Sequence, residues 1–318
     1  MKIVMLETRS LGEDISLEPF SKYGEVVTYW QTAKEEIPER IQDADVVIVN
    51  KLPMCEETLK AAENVKLICV TATGINNLDL EYLKKREISA YNVSGYSTEA
   101  VAQHTFALLF YLLEKLRFYD DFTKSGQYIT CGIFSYFEEK FPVLAGKTWG
   151  ILGLGAIGRK VAAIASAFGC RVICCSASGG TYDSPYEQVD FETLLRESDI
   201  LSLHAPLNAH TENLMNKDAF NKMKETAILL NLARGPIINE RDLADALRDN
   251  KIAAAGVDVL QVEPMLPDNP LLEIKDSRKL LITPHIAWAA TESRQKCVDR
   301  TVENIGRYLN QDTINRVC

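Results

Sequence analysis

Short apolar runs alternate with stretches whose apolar residues recur at helical spacing, and the alternation continues along the whole chain. Residues 3–6, 46–50, 67–70 and 88–93 form runs too short for helices, so the pattern predicts strands there, with helical character at 34–42 and 57–63 between them. A second series of strand-like runs follows at 149–153, 171–175, 200–204, 228–232, 254–259 and 280–283, with helices predicted at 157–168 and 240–250. Strands that are apolar on both faces belong in parallel sheets covered by helices on each side. The pattern therefore predicts two α/β domains built from βαβ units.

Three further stretches complete this reading. Residues 98–120 are apolar on most faces and are predicted as one helix buried on several sides. Residues 125–142 hold Gly126, Gly132 and several aromatics without periodicity, which predicts a long surface loop. Residues 291–309 place Cys297, Val298, Val302, Ile305 and Leu309 at helical spacing, which predicts a single helix.

A length of 318 residues exceeds what one core usually supports, in keeping with two domains. The net charge of −9, without a run of like charges, argues against nucleic acid or an anionic membrane as partner. The first residues reach Glu7 before a signal-peptide core could form, and the longest apolar stretch, 101–113, is too short to span a bilayer and contains Gln103, His104 and Thr105. None of the 8 cysteines forms a Cys-x-x-Cys pair, so reduced thiols in a cytoplasmic protein, with no metal site, are expected.

The strongest chemical signal is Gly153-Leu154-Gly155-Ala156-Ile157-Gly158, set between a predicted strand and a predicted helix. The first glycine permits a tight turn, the second lets backbone approach a pyrophosphate, and the third allows close packing of helix on strand. The helix start then offers N–H groups and a positive dipole end to phosphates. An acidic residue normally ends the next strand and bonds the adenosine ribose. Here Ser176 stands there, followed by Ala177-Ser178-Gly179-Gly180, so neither a carboxylate nor an immediate cation selects between NAD(H) and NADP(H).

Three later segments each end a predicted strand: Asn231-Leu232-Ala233-Arg234-Gly235, Gly256-Val257-Asp258 continuing to Glu263-Pro264, and Thr283-Pro284-His285. Carboxyl ends of strands in an open parallel sheet line one crevice, so Arg234, Asp258, Glu263 and His285 are expected together there. With the glycine fingerprint, these segments resemble the D-isomer-specific 2-hydroxyacid dehydrogenases over nearly the whole chain.

The resemblance implies a Rossmann dinucleotide-binding domain, residues 99–289, inserted into a flavodoxin-like substrate-binding domain formed by 1–98 and 290–318. It implies a catalytic set of Arg234, Glu263 and His285, with Asp258 on the amide side of the nicotinamide and Thr98 near the ring. Gly153, Gly155, Ala156, Ile157, Gly158, Ser176 and Ala233 fall on the coenzyme side. His204, which follows a strand, is a further candidate there, whereas His104 and His210 are read as structural. Substrate contacts are implied for Thr73 and the backbone of Gly74 and Ile75. Residues 50–53 and 92–98 are similar to the corresponding loops of glycerate dehydrogenases and hydroxypyruvate reductases, which adds Lys51. A homodimer is implied, with helix 101–113 as an interface candidate.

These roles suit the chemistry. Reduction of a keto acid needs a hydride, a proton for the carbonyl oxygen and a cation for the carboxylate. His285 would supply the proton, a carboxylate at Glu263 would favour its charged form, and the planar fork of Arg234 suits a carboxylate. The expected activity is thus NAD(P)-dependent reduction of a small 2-keto acid to a D-2-hydroxy acid, with hydroxypyruvate and glyoxylate first and NAD(H) slightly preferred. A larger 2-keto acid, with Phe134, Tyr136 and Phe137 shaping the pocket, is the alternative enzyme reading. A nucleotide-sensing corepressor-like protein is the non-enzymatic one.

Overall fold

A computed structural model describes residues 1–318, which divide into two compact units, Met1–Ser97 with Ala289–Cys318, and Thr98–Trp288. The first unit holds β1 (Lys2–Met5), β2 (Glu25–Thr28), β3 (Val46–Val49), β4 (Leu67–Val70) and β5 (Ser89–Tyr91). They form one parallel sheet in the order β2-β1-β3-β4-β5, the flavodoxin-like arrangement. Successive side chains in a strand point to opposite faces. Val4, Val47, Val49, Ile68 and Val70 therefore bury on one face, and Ile3, Val46, Ile48, Leu67 and Cys69 on the other. The helix Thr291–Leu309 covers the second face through Val298 and Ile305.

The second unit holds β6 (Thr148–Leu152), β7 (Arg171–Cys175), β8 (Glu187–Gln188), β9 (Ile200–Leu203), β10 (Ile228–Asn231), β11 (Ala254–Val257) and β12 (Leu280–Ile282). Their parallel order is β12-β11-β10-β9-β6-β7-β8. The chain winds one way from β6 through β7 to β8 and the other way from β9 to β12, which is the Rossmann arrangement with its switch point between β6 and β9. The fold is thus α/β, two doubly wound parallel sheets with the Rossmann unit inserted into the flavodoxin-like one.

Several expectations need correction. Residues 98–120 are not one helix: Thr98–Leu113 ends, Lys115 takes a left-handed φ of 55°, and Leu116–Lys124 starts afresh. The 125–142 stretch contains a short helix, Gln127–Thr130. The helical character at 34–42 reduces to a 3-10 turn, Lys34–Glu36, and one turn of α-helix, Ile37–Arg40; that at 57–63 reduces to Glu56–Leu59. Strands Glu25–Thr28 and Glu187–Gln188 are additions at sheet edges.

The Thr98–Leu113 helix also spends its apolar faces inside its own unit. Phe106, Leu108, Leu109 and Leu112 pack with Trp149, Ile151 and Leu230 of the sheet. Each such burial contributes about 1.5–3 kcal/mol. Exposed large apolar side chains lie instead on the following segment: Ile129, Ile133, Phe134, Phe137, Phe141 and Val143.

Candidate active site

The carboxyl ends of the second unit's strands carry, in spatial order from β12 to β7, His285, Asp258, Arg234, His204, the glycine turn and Ser176. Strands lie about 4.8 Å apart, so this row extends roughly 24 Å across the five steps. Gly153 follows β6 with φ 92°, and a Cβ there would lie 2.7 Å from the Ala205 backbone. Only glycine lets the first turn press against the end of β9. A Cβ on Gly158 would strike the Gly153 carbonyl, whereas one on Gly155 would meet nothing within 4 Å. Gly155 is the N-cap of the helix Ala156–Ala167, and no side chain caps the helix's first N–H groups. That cradle fits a pyrophosphate.

His204 adds a second indication of a missing ligand. Both its ring nitrogens are buried without a hydrogen-bond partner, and burial pushes its pKa down to about 3. Beyond β7, Ser176 Oγ accepts the Gly180 N–H at 3.1 Å and lies 3.3 Å from Ser178 Oγ, so two hydroxyls stand where a ribose-binding carboxylate is usual.

Arg234 sits past β10 on a loop braced by Asn231, whose Oδ1 accepts the Ala233 N–H at 3.0 Å and whose Nδ2 donates to the Arg234 carbonyl at 3.0 Å. A Cβ on Gly235 would collide with the Leu260 backbone, so the Arg234 loop packs tightly on the loop after β11. That second loop is held by the buried Glu240, which accepts from Gln261 N at 2.8 Å and Asn269 Nδ2 at 2.8 Å.

Glu263 serves two donors, accepting from Leu260 N at Oε1 (2.9 Å) and pairing through Oε2 with His285 Nδ1 (2.7 Å). A carboxylate only accepts, so Nδ1 carries the hydrogen and Nε2 is the nitrogen left for proton transfer. His285 itself has a left-handed φ of 56°, fixed by its N–H donating to the Asp258 carbonyl at 2.8 Å. The buried Asp258 carboxylate accepts from Thr283 Oγ1 (2.6 Å), Ile286 N (2.9 Å) and Ala287 N (2.9 Å), which locks the turn around the imidazole.

The first unit has its own row of strand ends. Glu7 Oε2 accepts three successive N–H groups, from Asn50 (2.8 Å), Lys51 (2.9 Å) and Leu52 (3.1 Å), and so fixes the loop carrying Lys51. After β4, Thr73 Oγ1 donates to the Val93 carbonyl and Asn92 Nδ2 to the Thr73 carbonyl. The N–H groups of Gly74 and Ile75 donate to nothing within the chain. Thr98 begins the second unit's first helix.

The aromatic side chains of the 125–142 stretch differ in their surroundings. Phe134 is 93% exposed and Phe137 68% exposed, while Tyr136 stacks on Phe122 at 4.0 Å. Glu7, Asn231 and Glu240 were not legible as site residues.

A family model for the NAD binding domain of D-isomer specific 2-hydroxyacid dehydrogenases matches residues 106–287. The chain belongs to the D-isomer-specific 2-hydroxyacid dehydrogenase family. It is 36% identical to a hydroxypyruvate reductase of Blautia hydrogenotrophica, covering 100% of this chain and 99% of that protein. It is also 36% identical to a glycerate dehydrogenase of Methylorubrum extorquens, covering 97% of this chain and 96% of that one. Among solved structures, an acyclic imino acid reductase in complex with NADPH and D-Arg superposes with a TM-score of 0.88 at 31% identity, covering 100% of both chains. The protein is accordingly a nicotinamide-dependent D-2-hydroxyacid dehydrogenase that acts on the CH–OH group of donors.

Proposed function

We propose that this dehydrogenase reduces hydroxypyruvate to D-glycerate and glyoxylate to glycolate, with NAD(H) favoured over NADP(H). The observation that carries the reading is the Glu263–His285 pair at the end of β12, two strands from the Arg234 loop after β10. Bound coenzyme supplies the hydride that adds to the substrate's carbonyl carbon. Arg234 holds the carboxylate through its fork of N–H groups, and His285 Nε2 gives its proton to the carbonyl oxygen. Glu263 acts through His285, keeping Nδ1 protonated and the ring aimed, and the same steps run backwards in oxidation.

In the first unit, the unengaged N–H groups of Gly74 and Ile75 suit a carboxylate, with Thr73 in the same turn and Lys51 past the end of the neighbouring strand β3. In the second, Gly153, Gly155, Ala156, Ile157 and Gly158 cradle the pyrophosphate, and Ser176 meets the adenosine ribose. His204, Ala233, Asp258 and Thr98 complete the coenzyme side. The three donors on the Asp258 carboxylate leave one of its roughly four acceptor positions for the nicotinamide amide. NAD(H) is favoured because the Ser176–Gly180 turn brings hydroxyls and no cation.

The reading includes a cytoplasmic homodimer. Its support is the run of exposed apolar side chains from Ile129 to Val143 and eight cysteines that are all free. No helix is long and apolar enough to cross a membrane. The substrate assignment is tested by following reduced-nicotinamide absorbance with hydroxypyruvate, glyoxylate, pyruvate and phenylpyruvate against both coenzymes. A preference for phenylpyruvate would overturn it.

A further inference from the structure

The Thr98–Leu113 helix lays one face along β11: a Cβ on Gly256 would lie 3.2 Å from Leu108 Cβ and 3.3 Å from Leu112 Cδ1. His104 is the next residue on that face, four positions before Leu108, as the helical repeat requires. The stripe is apolar at 108 and 112 and switches to an imidazole where β11 and β12 end. His104 Nε2 lies 3.1 Å from Thr283 Oγ1 and 3.6 Å from Asp258 Oδ1.

A hydroxyl has one hydrogen, and that of Thr283 is committed to Asp258 Oδ1 at 2.6 Å. The contact from His104 must therefore be a donation, Nε2–H to the lone pair of Thr283 Oγ1. Burial holds the His104 pKa below the usual histidine value, partly offset by Asp258, so the ring is neutral and its single hydrogen is on Nε2. The chain of bonds then runs from His104 to Thr283, to the Asp258 carboxylate, and on to the N–H groups of Ile286 and Ala287, the two residues that follow His285. A Leu at 104 would fill the same volume and leave Thr283 free to rotate away from Asp258.

We infer that His104 is a positioning residue for the reaction: by donating to Thr283 it fixes the Thr283–Asp258 pair, and through it the left-handed turn that aims His285. This rests on the reading of His285 as proton donor, so His285→Ala is measured alongside. Displacing a reacting group by about 1 Å can lower a rate a hundredfold, and a loosened turn is a milder fault. His104→Ala should therefore lower kcat about tenfold on the 2-keto acid that the wild type turns over fastest. His104→Gln, whose amide N–H can make the same donation, should recover most of the loss. Thr283→Val should slow turnover too, and combining it with His104→Ala should add little further, because the second change finds the link already broken.

A readout independent of turnover is the histidine ¹H–¹⁵N spectrum of the coenzyme-free protein, tractable because the chain has only 4 histidines. It should show His104 as the Nε2–H tautomer, and the His285 Nδ1–H signal should broaden or shift in His104→Ala. The inference is overturned by an Nδ1–H tautomer at His104, by equal losses in the Ala and Gln variants, by fully multiplicative effects in the double variant, or by a lowered Tm with kcat unchanged. If His285→Ala itself turns over normally, the proton-donor reading fails instead, and the spectrum still reports on the His104–Thr283 contact.

Discussion

Replacing Glu263 by Gln keeps the side chain's length and removes its charge and one acceptor. In the native protein the two carboxylate oxygens are divided between Leu260 N at 2.9 Å and His285 Nδ1 at 2.7 Å. An amide has one oxygen. If it stays with Leu260, the NH2 group faces Nδ1, and the ring must turn its lone pair there and carry its hydrogen on Nε2. The neutral ring is then in the tautomer unable to accept a proton at Nε2, and the charge-assisted bond behind it is gone. Hydrogen bonds to charged groups contribute about 1.5–3 kcal/mol. At about 1.4 kcal/mol per tenfold in rate, the expected loss in kcat/KM is about 10- to 150-fold. Both directions share one transition state, and the overall equilibrium belongs to the substrates, so the loss should be the same for keto-acid reduction and hydroxy-acid oxidation. Initial rates in each direction, followed by reduced-nicotinamide absorbance, provide the assay. A folded Glu263→Gln enzyme within twofold of wild type both ways would refute the claim that this carboxylate keeps His285 in its working state.

Three further outcomes follow from the same geometry. Ser176→Asp places a carboxylate where the ribose is expected and should raise the NAD/NADP preference; an unchanged ratio means residue 176 does not face the ribose. His204 accepts no proton in the folded chain until about pH 3, whereas the unfolded chain takes one near 6.5. Its contribution is therefore fully present above pH 6.5 and is lost as pH falls towards 3, reaching up to about 2 kcal/mol by pH 5. Coenzyme-free His204→Leu should accordingly lose less Tm than wild type between pH 7.5 and 5, and an identical pH slope contradicts this. Phe134→Glu puts a charge on the most exposed of the apolar side chains and should shift the mass in light scattering from dimer towards monomer; an unaltered dimer places the interface elsewhere.

What the sequence made legible follows from the range of the interactions involved. Runs such as Val46–Val49 and Ile228–Asn231 announce buried parallel strands because both faces are covered, and the helix Thr291–Leu309 shows its full length through its own spacing. The two edge strands were missed for the same physical reason. Glu25–Thr28 is only partly buried and Glu187–Gln188 is exposed and polar, so neither leaves an apolar run. The break at Lys115 carries no glycine or proline to mark it.

Of the proposed site, Gly153, Arg234, Glu263 and His285 could be singled out from the sequence because their residue types and order suit the chemistry. Their supports were not. Glu7 reaches a loop more than forty residues away, and His104 meets Thr283 across 179 positions, so nothing local distinguishes either from a solvated acid or a packed histidine.

The most direct test of the account is turnover of NADH with hydroxypyruvate by wild type and by His285→Ala at matched protein concentration, with folding checked by circular dichroism. The geometry predicts wild-type consumption of NADH with D-glycerate as product, and a loss of roughly a hundredfold to ten-thousandfold in the variant, the scale of a missing general acid. Near-normal turnover in folded His285→Ala would contradict the assignment of the proton to this imidazole.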